Sequence, residues 1–348
     1  MIEESRSNIR AGFSGAIGNT PLIRLQRASE ECGCEILGKA EFMNPGGSVK
    51  DRAALGIISA AQRRGELAAG GTVVEGTAGN TGIGLAHLCN ERGYRCVIVM
   101  PDNQSPAKYQ LLDMLGADVH RVPAVPYSSP NHYQKVAARL AGALAGAIWS
   151  NQFDNVANRE IHLTTTGPEI WTQTGGGIDA FVAASGTGGT FSGVSEYLKS
   201  RRSSILCVLA DPPGSSLFEY VRHGTLKATG TGSITEGIGI ARITANLALA
   251  RIDDAVHVED VETVRCVYRL LNEEGLFLGS TSGINVAAAV KVARELGPGH
   301  TVVTVLCDGG ANYRSRLFNR EWLETKGLAA AASMPARPRL TLENALVA

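Results

Sequence analysis

The stretch V-E-G-T-A-G-N-T-G-I-G-L-A, residues 74–86, decides the fold. It leaves a β-branched run (72–75), passes the short loop Gly76-Thr77-Ala78-Gly79, and enters a helical pattern over 80–92. Another β-branched run follows at 95–100 and stops at Pro101. Strand, helix, strand in series builds a parallel sheet with crossover helices. Outward from this unit, 108–116 reads as a helix and 118–123 as a strand. A second series begins with a strand at 179–184, a glycine loop, and a helix over 190–201. It continues with a strand at 205–210, helices over 261–275 and 285–296, and a strand at 301–306.

Two series, each with its own glycine loop, predict an α/β chain of two domains with a cleft between them. The polar, Asn-rich segment 149–158 (WSNQFDNVAN) reads as the boundary. The smaller domain is expected over 45–155, the larger over 15–44 plus 156–327. The Ala- and Pro-biased segment 328–348 is expected to be a mobile tail.

Lys plus Arg and Asp plus Glu number 33 each, so net charge points to neither nucleic acid nor an anionic membrane as partner. Seven cysteines lack C-x-x-C spacing, which suits idle thiols in a reducing compartment better than a metal site or disulfide framework. The N-terminal MIEESRSNIRAG has early acids and no apolar core of a signal peptide. No apolar run reaches the ~18 residues of a membrane span. A cytoplasmic protein is expected. Glycine, at 41 of 348 residues, exceeds its usual ~7% share, and its clustering marks the segments that carry chemistry.

The first is N-P-G-G-S-V-K-D-R, residues 44–52. Ser48 and Asp51 have capping-box spacing, so a helix is expected to start near Ser48, with Lys50 in its first turn. The helix dipole disfavours an ammonium there. A lysine held neutral is a nucleophile and a base, of the kind that forms Schiff bases. A surface lysine extending into water is the other reading of this stretch taken alone.

The loop at 76–81 lets backbone N–H groups approach an anion at a helix N-terminus, and Thr77, Asn80 and Thr81 add donors. The segment A-S-G-T-G-G-T-F-S-G, residues 184–193, repeats that arrangement and reads as an anion nest for a phosphate monoester. It is neither G-x-G-x-x-G nor a P-loop, so a dinucleotide or nucleoside triphosphate is disfavoured. Either loop alone is equally well a tight turn with no ligand. A fourth piece, L-G-S-T-S-G-I-N over 278–285, reads by itself as a helix start capped by Ser282.

Together these pieces, with G-N-T-P-L-I-R-L from Gly18, T-T-G-P-E-I-W (165–171) and E-G-I-G (236–239), resemble the cysteine synthase/cystathionine β-synthase family of pyridoxal-phosphate enzymes. The resemblance spans residues 17–323 and implies fold type II, the tryptophan synthase β-like arrangement with the cofactor in the cleft. It implies Lys50 as the Schiff-base lysine and base. Gly186, Thr187, Gly188, Gly189 and Thr190 match the loop for the cofactor phosphate. Asn80 matches the partner of the ring hydroxyl, and Thr281, beside Ser282, the residue facing the pyridine nitrogen. Thr77, Ala78, Gly79, Asn80 and Thr81, with Gln152 and Gly237, match the substrate site. No metal is implied.

The implied reaction is β-replacement: O-acetyl-L-serine loses acetate, an α-aminoacrylate forms, and sulfide adds to give L-cysteine. A homodimer is implied. A neutral hydroxyl at Thr281 cannot hold the pyridine nitrogen protonated as an Asp would, which favours loss of a β-substituent over a long-lived carbanion. Ala78 stands where many members carry serine, which removes one donor beside the substrate. The alternatives on this fold are cystathionine β-synthase-like, diaminopropionate-forming, or serine or threonine dehydratase chemistry. Outside enzymes, the alternative is a regulatory homologue that has lost catalysis.

Overall fold

The computed structural model describes residues 9–230 and 232–332. The strands are β1 (Leu22–Arg24), β2 (Glu35–Ala40), β3 (Thr72–Gly76), β4 (Arg95–Pro101), β5 (Asp118–Val122), β6 (Ala147–Trp149), β7 (Ala180–Ala184), β8 (Leu206–Asp211), β9 (Asp254–His257) and β10 (Thr301–Leu306). Two sheets result, ordered β1-β2-β10-β7-β8-β9 and β5-β4-β3-β6. Every pairing is parallel except β1 against β2, at the edge of the larger sheet. The strands are apolar runs because both faces are covered. Val74, Val97 and Val99 face Ala137 and Ala141, while Val73, Ile98 and Met100 face Ile83 and Leu85. In the larger sheet Val182, Val208 and Val302 pack on one side, and Phe181, Leu209 and Val303 on the other.

Both sheets reverse their strand order beside a glycine loop. The smaller sheet runs from β3 through β4 to β5, then places β6 on the far side of β3. The larger runs from β7 through β8 to β9, then places β10 on the far side of β7. The loops after β3, β7 and β10 therefore open at switch points, where parallel sheets leave crevices for ligands.

Some local expectations need correction. The Lys50–Arg63 helix starts two residues later than expected and has no side-chain cap. The Ser48 hydroxyl accepts from the Lys50 N–H at 3.2 Å while its backbone bridges to Asp308, and Asp51 turns back to accept from the Gly46 N–H at 2.6 Å. The helix expected from 285 begins at Ser280, which places Ser282 inside its first turn. The Ser282 hydroxyl accepts from the Cys307 N–H at 2.9 Å, because the end of β10 passes beside it. Strand β2 escaped the pattern reading since Lys39, fully buried, interrupts its apolar run. Of the expected tail, Ala329–Ala332 form a 3₁₀ turn with Ala331 buried beside Leu323, and 333–348 lie outside the described residues.

A buried ion network braces the Lys50 helix. Arg52 donates to both Glu41 oxygens at 2.8 Å and to both Glu169 oxygens at 2.7 Å. Lys39 pairs with Glu169 at 2.7 Å, and Thr20 donates to Glu41 at 2.7 Å. Thr20 belongs to the G-N-T-P segment and Glu169 to T-T-G-P-E. Both motifs therefore act at a distance, by fixing the turn that carries Lys50.

Candidate active site

The loops after β3, β7 and β10 surround a cavity of about 260 Å³. Lys50, Thr77, Ala78, Gly79, Asn80, Thr81, Gln152, Gly186, Thr187, Gly188, Thr190, Gly237 and Thr281 all line it. Gly189 does not; it is the first residue of the Gly189–Arg201 helix and packs against the Asn158 amide.

The loop at 186–190 is built by close approach. A Cβ on Gly186 would collide with the Gly237 carbonyl oxygen. Gly188 has φ of +89°, and a Cβ there would lie 2.7 Å from the Leu247 nitrogen. The helix behind has no side-chain cap, so its first N–H groups lack an intrahelical partner beside the cavity. Thr187 Oγ1 accepts from Asn158 Nδ2 at 2.9 Å, and the same amide group donates to the Gln152 carbonyl at 2.8 Å. One side chain thus ties this loop to the segment after β6.

Thr190 Oγ1 lies 3.1 Å from His162 Nε2, and His162 Nδ1 lies 2.8 Å from Thr166 Oγ1. Burial, then Arg52 and Lys50, holds the His162 ring well below its ordinary pKa and therefore neutral. It sits in a π-helical turn, His162–Thr166, between the helices Ala157–Ile161 and Gly167–Gln173. The wider turn sets its ring beneath the loop. Such turns recur at functional sites, but no spacing in the sequence reveals one.

At the other loop, Thr81 Oγ1 donates to Gln152 Oε1 at 2.6 Å, and Gln152 Nε2 donates to Glu75 Oε1 at 3.0 Å. Glu75 is buried at the end of β3 and also accepts from the Ser150 hydroxyl. Burial pushes its carboxyl up from 4.5 to about 7, against the lowering effect of the Ser150 and Gln152 hydrogen bonds. The raised value belongs to the folded state, so the stability contributed by the bound proton is complete below about 4.5 and is lost as pH rises to about 7. Glu75→Gln keeps a neutral group throughout. Relative to wild type it is expected to gain on the order of 3 kcal/mol between pH 4 and pH 8. Denaturant unfolding at both pH values checks this; an unchanged difference would mean that folding does not raise the Glu75 carboxyl.

The Lys50 amine takes part in none of the hydrogen bonds or ion pairs found among the described residues. Asp308, after β10, is buried and accepts on Oδ2 from Asn80 Nδ2 at 2.7 Å and from the Tyr313 hydroxyl at 2.5 Å. Thr281 Oγ1 donates to the Glu236 carbonyl at 3.2 Å. In that orientation it turns lone pairs to the cavity, and serving a neutral ring nitrogen requires re-aiming its proton. Cys307 also lines the cavity, with its thiol pushed up to about 12 by burial. Asp308 and Tyr313 were missed in the sequence. The available signal was a polar residue followed by Gly-Gly at the end of the apolar strand T-V-V-T-V-L.

The family model for pyridoxal-phosphate dependent enzymes matches residues 13–308. The chain belongs to this family. As a pyridoxal-phosphate dependent enzyme it has kin of known type: it is 58% identical to cysteine synthase 1 of Neurospora crassa, over 93% of this chain and 87% of that protein. It is 55% identical to cysteine synthase 1 of Emericella nidulans, over 92% and 88%. The crystal structure of an O-acetylserine dependent cystathionine beta-synthase from Helicobacter pylori superposes with TM-score 0.80 at 32% identity, covering 88% of this chain and 98% of that one. The cavity fits the cofactor on its own evidence. An unengaged primary amine shares the cavity with the glycine loop at 186–190 and the loop at 77–81, and a Cβ at Gly186 would run into the Gly237 carbonyl.

Proposed function

We propose that this enzyme forms L-cysteine from O-acetyl-L-serine and sulfide, releasing acetate. One observation carries the reading. The unengaged Lys50 amine lies in a single cavity with the loop at 77–81 on one side and the loop at 186–190 on the other. An amine that shares a cavity with two anion-binding loops suits an aldehyde cofactor with a phosphate tail and an amino acid bound beside it.

When bound, pyridoxal phosphate supplies the electron sink that makes the substrate α-proton removable and lets the β-substituent leave. The chain supplies the rest. The N–H groups at 186–190 hold the phosphate, with Thr190 steadied by neutral His162. Asn80, anchored by Asp308, presents its amide to the cofactor ring. The first N–H groups of the Asn80–Arg92 helix hold the substrate carboxylate. Lys50 Nζ accepts the α-proton and returns it once sulfide has added. Thr281 faces the ring nitrogen with a neutral hydroxyl, favouring elimination and addition over longer-lived carbanion chemistry.

We also assign a homodimer in the cytoplasm. The seven cysteines are unpaired, in keeping with a reducing compartment. No helix among the described residues is long and apolar enough to cross a membrane.

The test is a panel of O-acetylserine or serine as first substrate against sulfide or homocysteine as second. The fastest turnover is expected for O-acetylserine with sulfide, by at least about tenfold, since an acetate leaves more readily than hydroxide. Faster product from homocysteine, or ammonia from serine alone, would replace the assignment with a cystathionine-forming or dehydratase activity.

A further inference from the structure

The carboxylate loop has a donor problem. Thr81 gives its hydroxyl proton to Gln152, Gln152 gives its amide protons to Glu75 and to the Gly76 carbonyl, and Asn80 donates to Asp308. Ala78 offers no side-chain donor. What remains is the second Asn80 amide hydrogen, the Thr77 hydroxyl, which already accepts from the Gly79 N–H at 3.2 Å, and the first backbone N–H groups of the helix. None of these groups carries a formal charge.

A formal charge stands directly beside the loop. Lys108, on the Pro106–Met114 helix, is 4% exposed and lines the same cavity. A Cβ placed on Gly79 would lie 3.3 Å from Lys108 Nζ. The ammonium pairs with Glu236 across the cavity and lies 5.6 Å from the centre of the Tyr313 ring. Glu236 has a second cationic partner, Arg316, at 3.0 Å, and Arg316 is anchored in turn to the Asn103 carbonyl at 2.8 Å. Glu236 can therefore give up Lys108 without becoming an unpaired buried charge.

We infer that Lys108 is a substrate-binding residue: its ammonium takes the amino-acid carboxylate at Gly79, and Glu236 is the internal carboxylate that competes for it while Arg316 retains Glu236. The assignment rests on the amino-acid site proposed above. It gives a reason for Ala78, since a lysine poised over the loop replaces the hydroxyl lost there with a stronger, charged donor. It also makes Glu236 a determinant of affinity, because every substrate must displace it.

The competition predicts effects of opposite sign, which a purely structural role does not. The probes are L-alanine, which has a carboxylate and no leaving group, and L-alaninamide, in which the carboxylate charge is gone. Both are titrated into the cofactor-loaded enzyme through the change they cause in its visible absorption. Lys108→Gln is expected to weaken L-alanine about 10- to 100-fold, the range for a hydrogen bond to a charged group, and to change L-alaninamide by less than about threefold. Glu236→Gln is expected to tighten L-alanine by several-fold. Lys108→Arg, which keeps the charge, is expected to recover most of the affinity.

Equal weakening of both probes by Lys108→Gln, or unchanged L-alanine binding, would overturn the assignment of Lys108. Weaker L-alanine binding in Glu236→Gln would overturn the competition, and that variant decides it even if Lys108→Gln does not fold. The visible band separates this failure from that of the underlying reading. A band that persists with unaltered L-alanine affinity removes Lys108 alone, whereas a wild-type enzyme with no band after loading removes the amino-acid site as well.

Discussion

Lys50→Ala is expected to lower turnover by about 10³-fold or more while leaving the protein folded. In the proposed role the loss would combine the covalent anchor of the cofactor with a positioned base, and general-base removal alone is typically worth 10²–10⁴-fold. The fold should not notice. The amine makes no ion pair or hydrogen bond among the described residues, and alanine is a better helix former in a first turn that has no side-chain cap. Steady-state turnover, the visible spectrum of the loaded enzyme and a thermal melt together check this. A variant with a normal melt that retains turnover within tenfold of wild type would show that Lys50 is not the base.

Arg52→Leu acts two residues away and by a different route. The guanidinium is 1% exposed and faces Glu41, which is fully buried. Burial alone would raise the Glu41 carboxyl, and Arg52 is the larger of the opposing influences that bring it below the ordinary range. Removing one partner of a buried ion pair leaves an uncompensated charge and costs about 3–5 kcal/mol. The sign with pH follows. In the wild type the depressed Glu41 contributes stability at neutral pH that is lost as pH falls through its folded value. Without Arg52 its pKa rises, so the variant is least stable at alkaline pH and recovers as the carboxyl protonates. Denaturant unfolding at pH 5 and pH 8 measures both effects, and equal destabilisation at the two would mean that Glu41 stays ionised. Turnover should fall too, because this network holds the helix end that presents Lys50.

The two strand–loop–helix units were readable because each is local. Val73-Val74 leading into Gly76, and Val182 to Ala184 leading into Gly186, carry both their β signal and their turn signal within ten residues. The misplaced Lys50 was visible for the same reason, since helix polarity is a property of adjacent residues. Local spacing misled where the partner of a side chain is remote. Ser282 matches a helix cap but serves Cys307 rather than its own helix. Lys39 gave no sign in the sequence of being interior, because only its remote partner Glu169 makes burial of the charge possible.

From its sequence alone, this chain is an α/β protein with two glycine loops at strand-to-helix turns and a lysine at the positive end of a helix. Short-range backbone sterics, glycine and helix polarity suffice for that. The order of the strands belongs to the tertiary structure, and with it the switch points that bring residues 50, 80, 108, 186, 236 and 308 around one cavity. Burial likewise decides there which groups are charged: Glu75 is pushed up to about 7, His162 is neutral, and Asp308 is raised. Desolvation and pairing depend on neighbours far away in the chain, and no spacing along it encodes them.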